Sequence, residues 1–564
     1  MAYKTHIEYF YDRVKQTPDG IFLRQPSGEE WQEQTWKQAY DEAARMAGFV
    51  RSKNLPPGSH VAILSKNCRH WILADIAIMM AGHVSVPFFP NVTGDELADL
   101  LQRGMVKLLF VGKLDPAVWE NMKTRIPPGL ETVHFPHYAH NAVVDTGTAW
   151  DEAVRENQPV QEPHIPQATD VWTILFTSGT TGAPKGVVLT YHSPAALMEM
   201  ERAQNIIGVF KNRESVFFSY MPLNHIAERM IVEVASMLTG GSISFSESLE
   251  RFVHNLQAVQ PTVFMSVPRI YTKFRSAVVE KLGEKRLRFL LKVPVVSGIV
   301  KKKIRHGLGL GRAPIIITGA APTPQPLKDW YLKLGIGLRE IYGMTENAGG
   351  CCLMPPDGLR PGTVGKPLPQ VQIRTVPETG EVLMKAPWLM QGYFGDSQKT
   401  AETLKEGWLH TGDKGALDND GYLILDGRVN DTFKTSKGKF IDPGPLEWAL
   451  AENTDIEQVC VAGQGLPQPI ALVTLSESGK AADAPEVAGR LRETVEKLNA
   501  GHPAYRHIAK LVVMDHEWST ENGFLTPTLK IKRNKMTERY APDFDRWYHK
   551  TGLVLWEKSG FKHM

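Results

Sequence analysis

Val171-Trp-Thr-Ile-Leu-Phe-Thr177-Ser-Gly-Thr-Thr-Gly-Ala-Pro-Lys185-Gly-Val-Val-Leu-Thr190 is the stretch on which the fold class turns. Its two ends, Val171 to Phe176 and Val187 to Thr190, are β-branched and aromatic runs that read as strands. Between them, Thr177 to Gly186 packs four hydroxyls, three glycines and a lysine into ten residues. Glycine lets such a loop wrap closely and bares its amides, and the hydroxyls and lysine add donors, so a polyphosphate is the natural ligand. Thr177, Ser178, Gly179, Thr180, Thr181, Gly182 and Lys185 are its candidate contacts. The loop is not a Walker A motif, because no Gly-Lys-Ser/Thr follows Gly179 at the required spacing.

Working outward, a helical pattern from Pro194 to Gln204 follows, with Ser193 as the expected N-cap. Strand-like runs recur at Val216 to Tyr220, Ser242 to Phe245, Thr262 to Met265 and Pro314 to Thr318, with helical patterns between them. This alternation predicts an α/β domain of parallel-type sheets with flanking helices. The first 110 residues repeat the theme, with a strand at Val61 to Leu64 before a helix at Trp71 to Ala81. After Gly365, short strands separated by Gly, Asp and Pro predict a β-rich subdomain reaching Gly427. From Asp431, a helix around Leu446 to Ala451, strands at Gln458 to Ala462 and Ile470 to Leu475, and a helix at Val487 to Leu498 predict a small α+β domain. The expected division is 1–429 and 430–564.

Composition narrows the function. The 564 residues are 42% hydrophobic and 22% charged, enough apolar material for more than one core. Lys plus Arg number 64 against 61 Asp plus Glu, a net +3, which argues against a nucleic-acid partner for the whole molecule. Four cysteines, two of them adjacent at Cys351 and Cys352, fit neither a disulfide scaffold nor a zinc site. The residues from Met1 to Tyr11 lack a basic start and an apolar run, and the apolar stretch Trp71 to Pro90 is broken by Asp75, His83 and prolines. A cytoplasmic protein without a membrane span is expected.

Further motifs stand in order along the chain: Gly319-Ala-Ala-Pro322, Tyr342-Gly-Met-Thr-Glu346, Gly362-Thr-Val-Gly365, Gly407-Trp-Leu-His-Thr-Gly-Asp413, Gly427-Arg428 and Pro527-Thr-Leu-Lys530-Ile-Lys-Arg533. With the loop at Thr177 they resemble the AMP-forming adenylate superfamily of acyl-CoA synthetases, luciferases and peptide-synthetase adenylation domains, from about residue 30 to 535. Gly319, Ala320 and Ala321 follow a strand, at the carboxyl edge where parallel sheets open a ligand crevice, and the adenine of ATP is expected against them. The resemblance implies that Tyr342, beside Gly343, stacks on that base. Thr345 offers a hydroxyl to the α-phosphate, and Glu346 a hard oxygen to the Mg²⁺ that accompanies ATP. Asp413 is expected to accept from the ribose hydroxyls and Arg428 to donate to the same sugar. Lys530 is the implied catalytic lysine, offsetting charge as the carboxylate meets the α-phosphate.

The resemblance further implies that the small domain is mobile. It turns after adenylation to exchange Lys530 for the loop Lys437-Gly438-Lys439, which then meets the thiol of CoA. The family's hinge position, usually Asp or Lys, is Asn430 here, with Asp431 beside it.

Tyr220-Met-Pro-Leu-Asn-His225-Ile-Ala-Glu-Arg229, Val267-Pro-Arg-Ile-Tyr-Thr-Lys-Phe274 and Phe433-Lys-Thr-Ser-Lys-Gly438 are similar to segments of long-chain fatty acyl-CoA synthetases. His225 is expected near the substrate carboxylate. The expected activity is ATP-dependent conversion of a medium- to long-chain fatty acid to acyl-AMP and then acyl-CoA. An acyl-AMP ligase serving a carrier protein, a synthetase for aryl or bulky acids, and an inactive lipid- or nucleotide-binding homologue remain alternatives, and the oligomeric state stays open. Lys281 to Arg312 holds ten lysines or arginines against one acid, Glu284, a local +9 around the apolar run Phe289 to Val300. That composition suits peripheral contact with an anionic membrane, although Pro294 and Gly298 are expected to break any helix there.

Overall fold

The computed structural model describes residues 3–177, 184–211, 214–520, 522–526 and 530–557. Among them, a nine-stranded sheet runs in the spatial order Lys366–Pro367, Cys352–Leu353, Arg339–Tyr342, Ile315–Gly319, Val263–Ser266, Val216–Ser219, Ser242–Phe245, Ile21–Ser27 and Glu30–Thr35. Its interior pairs are parallel and its outermost pairs antiparallel. A second sheet of eight strands is likewise parallel around His60–Leu64, Val84–Phe88 and Leu108–Val111, and stays parallel out to its edge strand Thr148–Ala149. At one edge Val171–Thr177 and Lys185–Thr190 pair antiparallel, with Thr177 opposite Lys185. The parallel-type expectation thus holds inside both sheets and at the edge strand Thr148–Ala149, while the other edges pair antiparallel. Antiparallel neighbours such as Ile21–Ser27 and Glu30–Thr35 need only a short connection, where parallel ones need a long crossover.

The helix Arg69–Ala81 is buried at every residue from His70 to Met80, packs on Trp36–Ser52, and ends where Gly82 takes φ +84°. Its nearly continuous apolar sequence is what burial on all sides demands. The helix after the hairpin of Val171–Thr177 and Lys185–Thr190 runs His192–Gln204, two residues earlier than expected. Ser193 is therefore a buried first-turn residue and not the cap. Pro194 becomes the third helical residue, where the missing N–H still has no intrahelical acceptor. Pro294 likewise opens the helix Pro294–Gly307 where a break was expected, its fixed φ suiting the first helical position, and Gly298 lies within that helix.

A third sheet gathers Gln372–Thr375, Glu381–Lys385, Trp408–Leu417, Leu404–Lys405 and Leu423–Arg428. The turn Val429–Asp431 leads from it to the four-stranded sheet Ile456–Ala462, Ile470–Leu475, Lys510–Val513 and Val554–Trp556. Helices Pro443–Leu450 and Ala484–Ala500 share one core with this sheet, and Arg533–His549 shares another. Cys351 and Cys352 are buried, as packing residues would be, with their sulfurs 3.8 Å apart.

Candidate active site

The parallel neighbours Ile315–Gly319 and Arg339–Tyr342 both end at the rim of a cavity of about 930 Å³. Its walls bring together Thr177, Lys185, His225, Ala320, Ala321, Tyr342, Gly343, Thr345, Glu346, Asp413, Arg428 and Lys530, drawn from seven separated stretches of the chain. Ser178, Gly179, Thr180, Thr181 and Gly182 lie outside the described residues. Two expected contacts are not on the wall. Gly319 is buried beneath it, where an added Cβ would stand 2.7 Å from Ile341 Cγ2, so its role is close approach between strands. Gly438 lies in the turn between Phe433–Lys434 and Phe440–Ile441, with φ +76°, away from the cavity.

Each wall residue is held by its local fold. Thr177 closes the base of its loop by donating to the Lys185 carbonyl at 3.4 Å. Gly343 follows Tyr342 because a Cβ there would meet the Gly349 carbonyl oxygen at 2.1 Å. Ala320 turns with φ +64°, leaving its methyl and that of Ala321 exposed to the cavity. The short turn Thr345–Asn347 presents Glu346, whose Oε1 accepts from the Tyr393 hydroxyl at 2.9 Å. Asp413 accepts from the Tyr342 hydroxyl at 2.6 Å and pairs with Arg428 Nε at 3.0 Å. Burial, and then the Asp413 charge, holds the Tyr342 phenol well above its usual pKa, so the hydroxyl stays a donor.

The cations are less complete. Lys185 Nζ stands 5.5 Å from the centre of the Tyr393 ring, and among the described residues neither Lys185 nor Lys530 forms an ion pair. Burial lowers the Lys185 pKa, with Lys399 adding to the effect. Crowding by surrounding protein, then the Arg428 charge, lowers that of Lys530. His225 caps the turn Ile226–Glu228 by accepting the Ala227 N–H on Nδ1 at 3.2 Å. Burial and the Lys530 charge bring its pKa down to about 4, so the ring is neutral near pH 7. With Nδ1 an acceptor, its proton sits on Nε2.

The other end of the cavity is apolar. Leu197, Met198 and Met200 of His192–Gln204 line it with Ile226, Met230, Ile231, Val234, Leu238, Ile207 and Val209, and the one carboxylate among them, Glu201, is taken up by the Ile207, Gly208 and Val209 amides. The lining includes one π-helical stretch, Arg229–Val234. The sequence reading missed this wall, and also Tyr393, which touches both Glu346 and Lys185. The apolar residues looked like ordinary core, and Tyr393 follows a glycine in a short edge strand with no pattern of its own. Among the described residues no group of three or more His, Cys, Asp or Glu is arranged to hold a metal. A single carboxylate fits Mg²⁺ that arrives on phosphates and keeps much of its water.

The model of the AMP-binding enzymes matches residues 10–394, and that of the AMP-binding enzyme C-terminal domain matches 430–552. A long-chain-fatty-acid–CoA ligase of Mycobacterium tuberculosis is 26% identical over 583 aligned positions, covering 96% of each chain. Human long-chain-fatty-acid–CoA ligase 1 is also 26% identical, over 87% of this chain and 78% of its own. Among solved structures, an anthranilate CoA ligase bound to anthranoyl-AMP superposes with a TM-score of 0.78 at 18% identity, covering 96% of this chain and 98% of its own. The O-succinylbenzoate CoA synthetase of Bacillus subtilis with ATP and magnesium gives 0.70 at 22%, covering 94% and 99%. Both share the fold.

Proposed function

The chain belongs to the AMP-binding enzymes and is an AMP-forming acid–CoA ligase, and from that premise we propose that its acid is a medium- to long-chain fatty acid. The observation that carries the proposal is the two-ended cavity, polar at Lys185, Glu346, Asp413 and Lys530 and apolar between Leu197 and Leu238. ATP, Mg²⁺ and CoA are the co-substrates. The adenosine lies along Ala320, Ala321 and Tyr342, with its ribose on Asp413 and Arg428, and the phosphates meet Thr177, Lys185 and Thr345. Glu346 would hold Mg²⁺, which when bound would neutralise charge on the departing pyrophosphate.

In the first half-reaction a carboxylate oxygen bonds to the α-phosphorus while the bond to pyrophosphate breaks. Two anions approach one another, and Lys530 offsets the charge that accumulates between them. The neutral His225 donates from Nε2 and orients the carboxylate. In the second, the CoA thiol loses its proton, its sulfur bonds to the acyl carbon, and AMP leaves. Residues 430–564 act as a mobile unit turning about Asn430 and Asp431. In the orientation with Lys530 on the cavity wall, Gly438 is away from it, as an adenylation state would have it.

The test is a panel of acids assayed for acyl-CoA with ATP, Mg²⁺ and CoA. Each methylene buried in the apolar end contributes about 0.8 kcal/mol. Thus kcat/KM should climb roughly two- to fourfold per carbon through medium-length chains and level off when the cavity is full. Preference for benzoate-like acids, or no dependence on chain length, would overturn the fatty-acid reading.

A further inference from the structure

The segment after Gly283 folds as two helices, Glu284–Leu290 and Pro294–Gly307, joined by a tight turn. Its buried side is narrow. Leu287 in the first helix, and Ser297 and Ile304 in the second, face inward, with Leu308 just beyond. The opposite face of the second helix carries Val295, Ile299 and Lys303, four residues apart and therefore aligned. Val295 is 80% exposed, Ile299 54%, and Phe289 of the first helix 67%.

Around these apolar tips the charge is almost wholly positive. Among the described residues the Glu284 carboxylate pairs with Arg288 at 3.1 Å, and no ion pair engages Lys285, Arg286, Lys292, Lys301, Lys302 or Lys303. Solvation alone explains exposed lysines. It does not explain an aromatic and two aliphatic side chains held out among them, at the turn end of a hairpin whose cations flank both sides. A nucleic acid would use the cations and leave the apolar tips in water. A bilayer surface uses both, taking the apolar tips between its headgroups and the cations onto anionic lipid.

We infer that the Glu284–Gly307 hairpin docks the enzyme on anionic membrane surfaces, with Phe289, Val295 and Ile299 inserted and Lys301, Lys302 and Lys303 on lipid phosphates. No helix among the described residues is long and apolar enough to cross a membrane, so the contact is peripheral. None of these side chains lines the cavity, so the inference stands apart from the identity of the acid.

The experiment is sedimentation of the full chain with vesicles of pure phosphatidylcholine and of phosphatidylcholine mixed with phosphatidylglycerol. Binding to the mixed vesicles should exceed that to the neutral ones and weaken as salt rises. Replacing Lys301, Lys302 and Lys303 together with Gln should lower it on the order of ten- to a hundredfold. The pair Phe289→Ser and Ile299→Ser should lower it at high salt, where charge is screened. Both variants should keep the wild-type rate with a water-soluble acid, which confirms their folding. Equal binding to both vesicle types, binding unchanged in both variants, or tighter binding to an RNA oligonucleotide than to the mixed vesicles would overturn the inference.

Discussion

Arg229 and Lys530 are both cations with carboxylates nearby, yet their surroundings differ in completeness. Arg229, with a fully buried side chain, donates from Nε to Glu233 at 2.9 Å, from one terminal nitrogen to Thr173 at 2.9 Å, and from the other to Asp75. The Trp172 ring lies 4.3 Å away, and Ser85 donates to the second Asp75 oxygen. Every face of the guanidinium is spoken for. Lys530 stands on an open wall, and the acids nearest in charge are already engaged, Asp413 by Tyr342 and Arg428 and Glu346 by Tyr393. A closed cluster fixes the packing of one sheet against two helical segments. An open one stores positive potential for an anion that the protein does not itself provide.

Breaking the closed cluster should have the largest effect. Arg229→Ala leaves Asp75 and Glu233 buried without their cation, and the expected loss is about 3–5 kcal/mol of stability, measured by denaturant unfolding. A loss within about 0.5 kcal/mol, the range of surface substitutions, would mean that the cluster is not closed as described. In the open cluster, Glu346→Gln keeps size and the Tyr393 contact while removing charge. Adenylation should fall on the order of ten- to a thousandfold, about 1.4 to 4 kcal/mol of barrier, with partial recovery in excess Mg²⁺. An unchanged rate at limiting Mg²⁺ would move the metal elsewhere.

Titration sharpens the contrast. In the proposed adenylation Lys530 serves the α-phosphate only when protonated, and its pKa is lowered from 10.5 in the free protein. The alkaline fall of kcat/KM for ATP should therefore come below that value, and the fall of kcat, with the nucleotide's charge in place, at higher pH. Coincident limbs at 10.5 would contradict the lowering.

The smallest effect concerns Glu228, a neighbour of Arg229 in the chain, which accepts from Ser219 at 2.9 Å and from the Tyr220 N–H at 3.0 Å. Burial pushes its carboxyl up to about 8, above its unfolded value. The stability it contributes is present below about 4.5 and is lost as pH rises through about 8. Glu228→Gln should remove that dependence, raising the melting temperature relative to wild type by a few degrees above pH 8 and little at pH 5. A constant offset across the range would assign the carboxylate its charge throughout.

The two clusters also differ in how far the sequence revealed them. Tyr342, Glu346 and Asp413 were legible because they lie in short, glycine-marked motifs, and Lys530 because it lies in the short basic run 527–533; all four meet at one cavity. Arg229 was only part of a quoted segment. Its partners Asp75 and Thr173 lie 154 and 56 residues away, and local periodicity carries no record of such a pairing. Strand positions survived folding to within a residue or two because a β-branched run is a local signal. Helix starts came two or three residues earlier than expected, since a residue such as Pro194 suits more than one position in a first turn. Likewise, Met200 and Leu238 are apolar whether they line a substrate chamber or a core. Only the packing of one helix against another distinguishes the two.

In the proposed alternation Lys530 serves one half-reaction and leaves the cavity for the other. The most direct measurement is single-turnover kinetics of Lys530→Ala, with acyl-AMP formation from ATP and acid followed separately from acyl-CoA formation from supplied acyl-AMP and CoA. Removing a preorganised charge that the transition state needs should slow the first on the order of a hundred- to a thousandfold, about 2.7 to 4 kcal/mol, and leave the second within about threefold, under 1 kcal/mol, of wild type. Equal loss in both steps would contradict a lysine that acts in adenylation alone, and with it the turning of residues 430–564 between the two reactions.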